Sequence, residues 1–577
     1  MGETLETSPS SARRIAFVAL LLVAILAAAS YLRLYRLADQ GILAVDEGRY
    51  VLDALAARAE LDAYRGLIAG KLAESRGGPE FSLAEYLRHT EANLRITHPF
   101  APKPGYSVAC AVVMLLTNNI ISACSYVEAV FGIFTVLVLF GFVWHLRNAR
   151  AAIIASALLA VSIYHIYYSR NGYPQASTGA LFLLAVWCHY MWQTECAAGS
   201  KASWVWSMLC GVLLGLSFWF NYQIAGALPA VVLVHMFACA RLRSWRRFVS
   251  GGCTIAAGFV LIMLAAEART YPLMLLFRSY GIVYPYGTFF ELLGPRVIGQ
   301  SSTPFNMSCW PLFPYFLSVT ESWVYVAAIL MPAAVAALQV VYRAGRDPKS
   351  IVAFMLHPVI VYMFIPLVAI WAVFSFKTMQ GARTFVTALP FLFALTAIGI
   401  DYALSRPARF SRIMLASAAL CFLVSLFLYF PAKVREVESI RSAYPRAIEY
   451  TRAQQPPAAC AAWSAVLESY GMAYGVEAKS IYAYKNLGLS LPPVYVSDWQ
   501  ELYNHRHADQ PVALPADAVP MEIYQHAFGR MFLTIEALPS FGNTFTNIRW
   551  TENLDLDAER RLLIYNPIAL ISAVAQH

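Results

Sequence analysis

Long apolar runs separated by short polar connections fill the first three quarters of the chain, and short β-like runs occur only in the last quarter. A helix needs about 20 mainly apolar residues to cross roughly 30 Å of hydrocarbon with its backbone satisfied internally. Runs of that kind lie at 15–32, 104–122, 125–145, 151–168, 174–192, 204–220, 222–240, 248–267, 323–342, 351–376, 384–404 and 411–430. Lys and Arg of short connections collect on the cytoplasmic side. Here they are Arg13/Arg14, Arg147/Arg150, Lys201, Arg241/Arg243/Arg246/Arg247, Arg343/Arg346/Lys349 and Arg406/Arg409/Arg412. If every run crossed, Arg147/Arg150 and nearly all later basic connections would fall outside. Withdrawing 104–122, which Thr117, Asn118 and Asn119 interrupt, restores them all. The prediction is eleven spans, with the amino terminus inside and the carboxyl terminus outside.

The first run has features of a cleaved signal, since Arg13 and Arg14 precede it and it reaches small residues at Ala27–Ser30. Tyr31, Leu32 and Leu34 extend its apolar character and favour a retained helix. This topology puts 33–124, 269–322 and 431–577 outside. Residues 1–430 then form a transmembrane domain and 431–577 a separate small domain. Within the tail, Trp463–Tyr470 reads as helix and Pro493–Val496 and Leu562–Tyr565 as strands, so an α/β domain of about 130 residues is expected. No fixed-period repeat is visible, and no inverted pair of broken helices of the kind that marks many transporters.

Composition agrees with a lipid environment. The 577 residues are 59% hydrophobic and 13% charged, with a mean hydropathy of +0.54, which excludes a soluble enzyme or a disordered scaffold. The net charge of +9 sits mostly between apolar runs, which points to membrane lipids and not to nucleic acid. The ten cysteines include no CxxC pair, and most, such as Cys188, Cys210, Cys239 and Cys421, lie in or beside apolar stretches, so neither a zinc site nor a disulfide framework is indicated.

Candidate chemistry lies in the polar residues at the expected outer surface. Asp46-Glu47-Gly48-Arg49-Tyr50 follows the first span. A partly shielded carboxylate there serves as a general base, or Asp46 caps a helix and both acids face solvent. Cations recur on the same side: Lys103 before Pro104-Gly105-Tyr106, Arg170 after Tyr167-Tyr168-Ser169, and Lys377 and Arg383 in one short acid-free connection. As a set they suit an anionic lipid headgroup; singly, snorkelling accounts for each. His165 and His235 read as core residues. His98 lacks a second ligand at metal spacing, the aromatic run Tyr280–Phe290 fits an interfacial belt or a sugar platform, and Asn306-Met307-Ser308 matches a glycosylation sequon.

The order of these elements resembles the GT-C integral-membrane glycosyltransferases: a first span, Asp46-Glu47-Gly48-Arg49-Tyr50, Lys103-Pro104-Gly105-Tyr106, Tyr168-Ser169-Arg170, then Lys377 to Pro390 before a late span. The nearer branch uses polyprenyl-phosphate sugars and includes protein O-mannosyltransferases and the aminoarabinose transferases of lipid A. The resemblance covers 1–430 in organisation. It implies that Asp46 is the base that deprotonates an acceptor hydroxyl, Glu47 an orienting or acceptor-binding group, and Lys103 and Tyr106 part of the donor-phosphate element, with 104–122 a juxtamembrane helix. Two departures stand out. Pro102 occupies the place of an acid that helps hold a divalent metal in the lipid A branch, and Glu128 replaces an Arg that commonly enters the next span.

The expected protein is therefore a polytopic α-helical membrane protein of GT-C type with a small extracytoplasmic α/β domain, in the inner (plasma) membrane of a bacterium. Its expected reaction is inverting transfer of a sugar from a polyprenyl monophosphate donor to a hydroxyl of a lipid, glycan or protein. Asp46 is the expected base, and Glu47, Lys103, Tyr106, Arg170, Lys377 and Arg383 the expected substrate contacts. A lipid-linked sugar flippase, or a polymerase or ligase that uses pyrophosphate-linked oligosaccharide, accounts for the same cations.

Overall fold

The computed structural model describes residues 9–96, 103–294, 312–332, 356–375, 382–405, 409–454, 459–462, 465–480, 492, 494–497, 520–537, 555, 557 and 560–565. Twelve helices lead the chain: α1 (Pro9–Leu34), α2 (Val45–Ser75), α3 (Leu83–Ile96), α4 (Pro104–Thr117), α5 (Ala123–Leu146), α6 (Ala149–Val161), α7 (Ile163–Arg170), α8 (Gln175–Ala197), α9 (Ser203–Phe220), α10 (Leu228–Leu242), α11 (Trp245–Ala268) and α12 (Tyr271–Ser279). Among the described residues seven helices are long and apolar enough to cross a membrane, or nine if each of two bent pairs counts as one span. The pairs are α6 with α7, bent by 58°, and Phe313–Glu321 with Trp323–Pro332, bent by 119°. Helix α8 and the segment Ile360–Ser375 lie in two further expected spans, and of the expected span 323–342 only 323–332 is among the described residues. Helix α8 is less apolar because it buries Gln175, Ser177, Thr178, His189 and Gln193 against its neighbours. The 14 residues of α4 reach about 21 Å, too short to cross, as the charge pattern required.

The two bent pairs meet at their breaks. Ser162 leaves the helical region and caps α7, its Oγ accepting from the His165 N–H. The same hydroxyl donates to Glu321 Oε1 at 2.6 Å, which also accepts from the Tyr164 N–H at 2.9 Å. A helix interrupted inside a bundle leaves backbone donors that water cannot reach; the acid at the break of one pair satisfies those of the other. The basic connection Arg147/Arg150 converges on buried Asp401, at 2.9 and 2.6 Å. A hydrogen-bonded chain braces α8, α10 and α11. The Phe248 carbonyl accepts from His235 Nε2, so His235 Nδ1 accepts from His189 Nε2 and His189 Nδ1 accepts from the Tyr362 hydroxyl, each at 2.9 Å. Only one tautomer of each imidazole fits this chain. Both His235 and His165 are core residues, as their apolar surroundings suggested.

The tail carries a five-stranded sheet in the order β2-β1-β3-β5-β4, from β1 (Cys460–Ala462), β2 (Ala478–Ser480), β3 (Val494–Ser497), β4 (Glu522–Gln525) and β5 (Arg561–Tyr565). Pairs β1–β2 and β1–β3 are parallel; β3–β5 and β4–β5 are antiparallel. The helix Ala465–Tyr474 connects β1 to β2 and fastens the sheet to the membrane portion. Its Ser469 Oγ donates to the Gly48 carbonyl at 2.8 Å, and its Tyr470 hydroxyl accepts from the Ile42 N–H at 3.0 Å.

Helices α9 and α11 touch backbone to backbone. A Cβ on Gly211 would lie 2.0 Å from the Ile255 carbonyl oxygen, and one on Gly258 2.5 Å from that of Met208. Small residues four apart, Gly211 and Gly215, give the close approach that membrane helices use in place of a hydrophobic drive. Gly211→Val is expected to cost about 1–3 kcal/mol or more by overpacking, read as a lower unfolding midpoint and yield in detergent. Val at exposed Gly199 or Gly281, where a Cβ meets nothing, bears only the strain of a positive φ.

Candidate active site

Asp46 and Glu47 open α2 together but do different work. Glu47 is buried, and its carboxylate accepts three backbone N–H bonds: Leu43 at 3.1 Å and Ala44 at 3.2 Å on Oε2, and Gly172 at 2.9 Å on Oε1. The first two lie at the start of α2, where a Glu three residues into a helix reaches back to the capping residue. The third ties the α1–α2 loop to the turn before α8. Burial raises the proton affinity of Glu47 while the three N–H donors oppose it. One residue earlier the Asp46 side chain, about a third exposed, accepts from Arg383 Nη1 at 2.7 Å on Oδ2 and from Arg49 Nη1 at 3.4 Å on Oδ1. Burial pulls the Asp46 carboxyl upward, but Arg383, with Lys103 and Arg49, outweighs it and holds the group below the ordinary carboxylate range. Asp46 is an ionised acceptor at neutral pH.

Lys103 precedes α4 and is buried. Its ammonium donates to the Tyr50 hydroxyl and lies 4.2 Å from the Tyr50 ring centroid and 5.9 Å from that of Tyr222. Burial, then the charge of Arg383, lowers its pKa to about 7, with Asp46 and Asp53 acting the other way. Arg383 lies in the 3-10 turn Ala382–Ala388, with its guanidinium 4.9 Å above the Tyr173 ring. Tyr173 donates to Glu536 Oε2 at 2.8 Å, and Tyr167 donates to Oε1 at 3.0 Å. The structure thus gathers Asp46, Tyr50, Lys103, Tyr173, Arg383 and Glu536 from distant parts of the chain. Glu536 and Tyr173 were absent from the sequence expectation: nothing in the local pattern of the helix Arg530–Ala537 marks its acid as different from any surface Glu.

Three expected contacts differ from that picture. Arg170, expected at the rim beside the acid, is buried, and its Nη1 donates to the carbonyls of Leu32, Arg33 and Tyr35 at 3.2, 3.3 and 2.9 Å. It satisfies the carbonyl end of α1, where a cation also complements the helix dipole; that explains an outer-side cation without any ligand. Tyr106 is buried too, its hydroxyl donating to the Gly172 carbonyl at 2.8 Å and its ring edge-on to Tyr50 at 5.9 Å. It packs behind Tyr50. Glu47 has both oxygens occupied by backbone. Lys377 lies outside the described residues, as do His98, Pro102 and the 306–308 sequon. Glu128 accepts from the Ala176 and Ser177 N–H groups at 2.7 and 3.1 Å, so the donors at the start of α8 are satisfied by this chain's own acid. For a divalent metal the fit is poor: among the described residues no three His, Cys, Asp or Glu side chains converge as ligands. A polar cavity of about 500 Å³, lined in part by Gln40, Asn118, Asn119, Ser442 and Tyr474, lies where the α1–α2 loop, the turn after α4 and the C-terminal unit meet.

Residues 97–267 match the model of the dolichyl-phosphate-mannose-protein mannosyltransferase family. A search of curated protein sequences gave no match. Among solved structures, an Archaeoglobus fulgidus oligosaccharyltransferase in the apo form is similar with a TM-score of 0.54 and 11% identity, over 84% of this chain and 70% of that one. The oligosaccharyltransferase AglB of the same organism, in complex with an inhibitory peptide and a dolichol-phosphate, gives 0.51 and 12% over 85% and 71%. ArnT from Cupriavidus metallidurans bound to undecaprenyl phosphate gives 0.50 and 14% over 96% and 99%. The chain is an integral membrane protein with the GT-C fold.

Glu47→Ala leaves three backbone donors, from Leu43, Ala44 and Gly172, without their acceptor. Thermal unfolding in detergent is expected to show a loss of about 3–9 kcal/mol, since each of the three orphaned buried groups costs about 1–3, with Glu47→Gln milder because one amide oxygen remains.

Proposed function

We propose that the protein is an inverting glycosyltransferase that moves a sugar from a polyprenyl monophosphate donor to an acceptor hydroxyl at the outer face of a bacterial plasma membrane. The observation that carries this reading is the Asp46 carboxylate held at 2.7 Å by Arg383 with the buried cation Lys103 beside it. One ionised base and two cations, gathered from segments more than 300 residues apart, are the groups that such a displacement needs. Their GT-C setting supports the reading.

In the reaction the acceptor oxygen attacks the anomeric carbon as the carbon–oxygen bond to phosphate breaks. The bond's electron pair leaves with the lipid phosphate, and the hydroxyl proton passes to Asp46. A single in-line displacement inverts the anomeric centre. Lys103 and Arg383 stabilise the charge that develops on the leaving phosphate, where scarce water strengthens the interaction. Donor binding also tunes the base. The phosphate competes with Asp46 for the Arg383 guanidinium, so Asp46 loses part of the charge that depresses its pKa when a hydroxyl arrives to be deprotonated. Glu47 holds the start of α2 and acts as a positioning residue. Lys377 belongs to the same connection as Arg383 and supplies a further cation for the donor.

Two measurements test the reading. Transfer of labelled sugar from synthetic polyprenyl monophosphate donors by the purified protein in lipid should fall by about 10²–10⁴ in Asp46→Asn, with binding of the carrier phosphate retained. Undiminished transfer in that variant removes Asp46 from the mechanism. No transfer by the wild type, with lipid translocation in its place, favours the flippase. The donor KM should rise as pH climbs through about 7, because Lys103 is charged below its pKa of about 7 and neutral above it; Lys103→Arg keeps its charge and should flatten that dependence.

A further inference from the structure

The reaction described above makes no use of Glu536, yet this acid is joined to its centre by consecutive contacts. The helix Arg530–Ala537 that carries it is fixed from two sides. Glu436 Oε1 accepts from the Met531 N–H at 2.8 Å near its start, and the Phe532 ring packs on Tyr167 with centroids 6.4 Å apart. Held there, Glu536 receives the hydroxyls of Tyr167 and Tyr173, one on each oxygen. The Tyr173 ring supports the Arg383 guanidinium at 4.9 Å, and Arg383 donates to Asp46 at 2.7 Å. A ring tethered by its hydroxyl cannot swing, so the cation above it has a fixed floor.

We infer that Glu536 is a positioning residue for the reaction centre: through Tyr173 it sets where Arg383 stands between Asp46 and the incoming phosphate, and docking of the C-terminal unit thereby completes the site. The C-terminal unit has a role in this scheme beyond packing, because it supplies the anchor for a side chain 153 positions earlier. The surroundings of Glu536 reinforce this. Tyr167, Tyr168 and Tyr173 face it from α7 and the turn that follows, Arg383 from the 3-10 turn Ala382–Ala388, and Glu47 from α2. Burial foremost, opposed by the Tyr173 hydrogen bond and the charge of Arg383, brings the Glu536 pKa up to about 7. Above that pH both tyrosines donate to a carboxylate; below it the protonated oxygen donates to one tyrosine oxygen instead, and both bonds lose the strength that the charged acceptor gave them. The tether is tight on the alkaline side and loosens as pH falls.

The first test needs no turnover. Purified protein in lipid is treated with a water-soluble carbodiimide and an amine, and labelling of Asp46 is followed by peptide mass spectrometry in wild type, Glu536→Gln and Tyr173→Phe, with exposed Glu522 as the internal reference. Tyr173→Phe keeps the ring under Arg383 and removes only the tether. A loosened Arg383 should raise the Asp46 labelling rate roughly threefold to tenfold in both variants, the range expected for one lost hydrogen bond. If Glu536→Gln fails to fold, Tyr173→Phe carries the test. Unchanged labelling in every folded variant overturns the inference, even where the unfolding midpoint falls, because a merely structural contact predicts only that fall.

The second test rests on the glycosyltransferase reading. Both variants should raise the donor KM several-fold with a smaller change in kcat, their effects should not add in the double variant, and Glu536→Gln should lose the acid-side rise in KM. Active wild type with variants of identical KM and pH profile overturns the positioning role. Raised labelling with an inactive wild type overturns the proposed reaction and leaves the positioning of Arg383 standing.

Discussion

Everything around Asp46 depends on how Glu47 is held. Its carboxylate gathers N–H groups from both sides of a 125-residue separation, Leu43 and Ala44 close before it and Gly172 125 positions after it. Without that clasp the α1–α2 loop loses its tie to the turn before α8 and the first turn of α2 its cap, and Asp46 is the next residue to suffer. Burying a carboxylate is costly unless its lone pairs are filled, and three backbone donors fill them here. The neighbour pair is thus a division of labour: one acid is buried and occupied so that the other can stand half-open and available.

Charge is distributed by the same logic elsewhere. Glu128 satisfies the start of α8, Glu321 the start of α7, Arg170 the end of α1, and Asp401 the two arginines of the α5–α6 connection. Each is an ionisable side chain inside or beside apolar helices; the first three fill backbone groups of a broken or ending helix where lipid offers no hydrogen bonds, and Asp401 holds the side chains of the connection. Such residues mark architecture, whereas the charges of Asp46, Lys103 and Arg383 answer one another without closing a helix. The departure at Glu128 from an expected Arg acquires a physical meaning by this route. The helix start that an anion would otherwise approach already holds one.

The spans were legible in the sequence because hydrocarbon thickness imposes a length and short basic connections impose a side. Both signals are local and additive, so even the non-crossing character of α4 followed from them. Asp46, Lys103 and Arg383 were legible as cations and an acid sharing one face of the membrane. Arg170 was not, because a side chain that snorkels, binds phosphate or caps a helix has the same sequence signature, and only its three carbonyl partners distinguish them. Glu47 looked like a partner to Asp46 for the same reason: adjacency on a helix says nothing about which carboxylate turns inward. Tyr173 and Glu536 were hidden differently. Their significance lies in one long-range contact between the bundle and the C-terminal unit, and no local periodicity encodes it.

That long-range contact has a consequence for synthesis. Asp46, Lys103 and Arg383 are all synthesised while Glu536 is still unmade, 153 positions behind Arg383. At about 5–20 residues per second, the ribosome needs roughly 8–30 s to cover the difference. During that interval the bundle exposes its cations to the surrounding pool of anionic lipid, but the floor beneath Arg383 is untethered. On the proposed reading the order of translation itself acts as a safety catch, since Arg383 gains its tethered floor only once the helix Arg530–Ala537 has arrived.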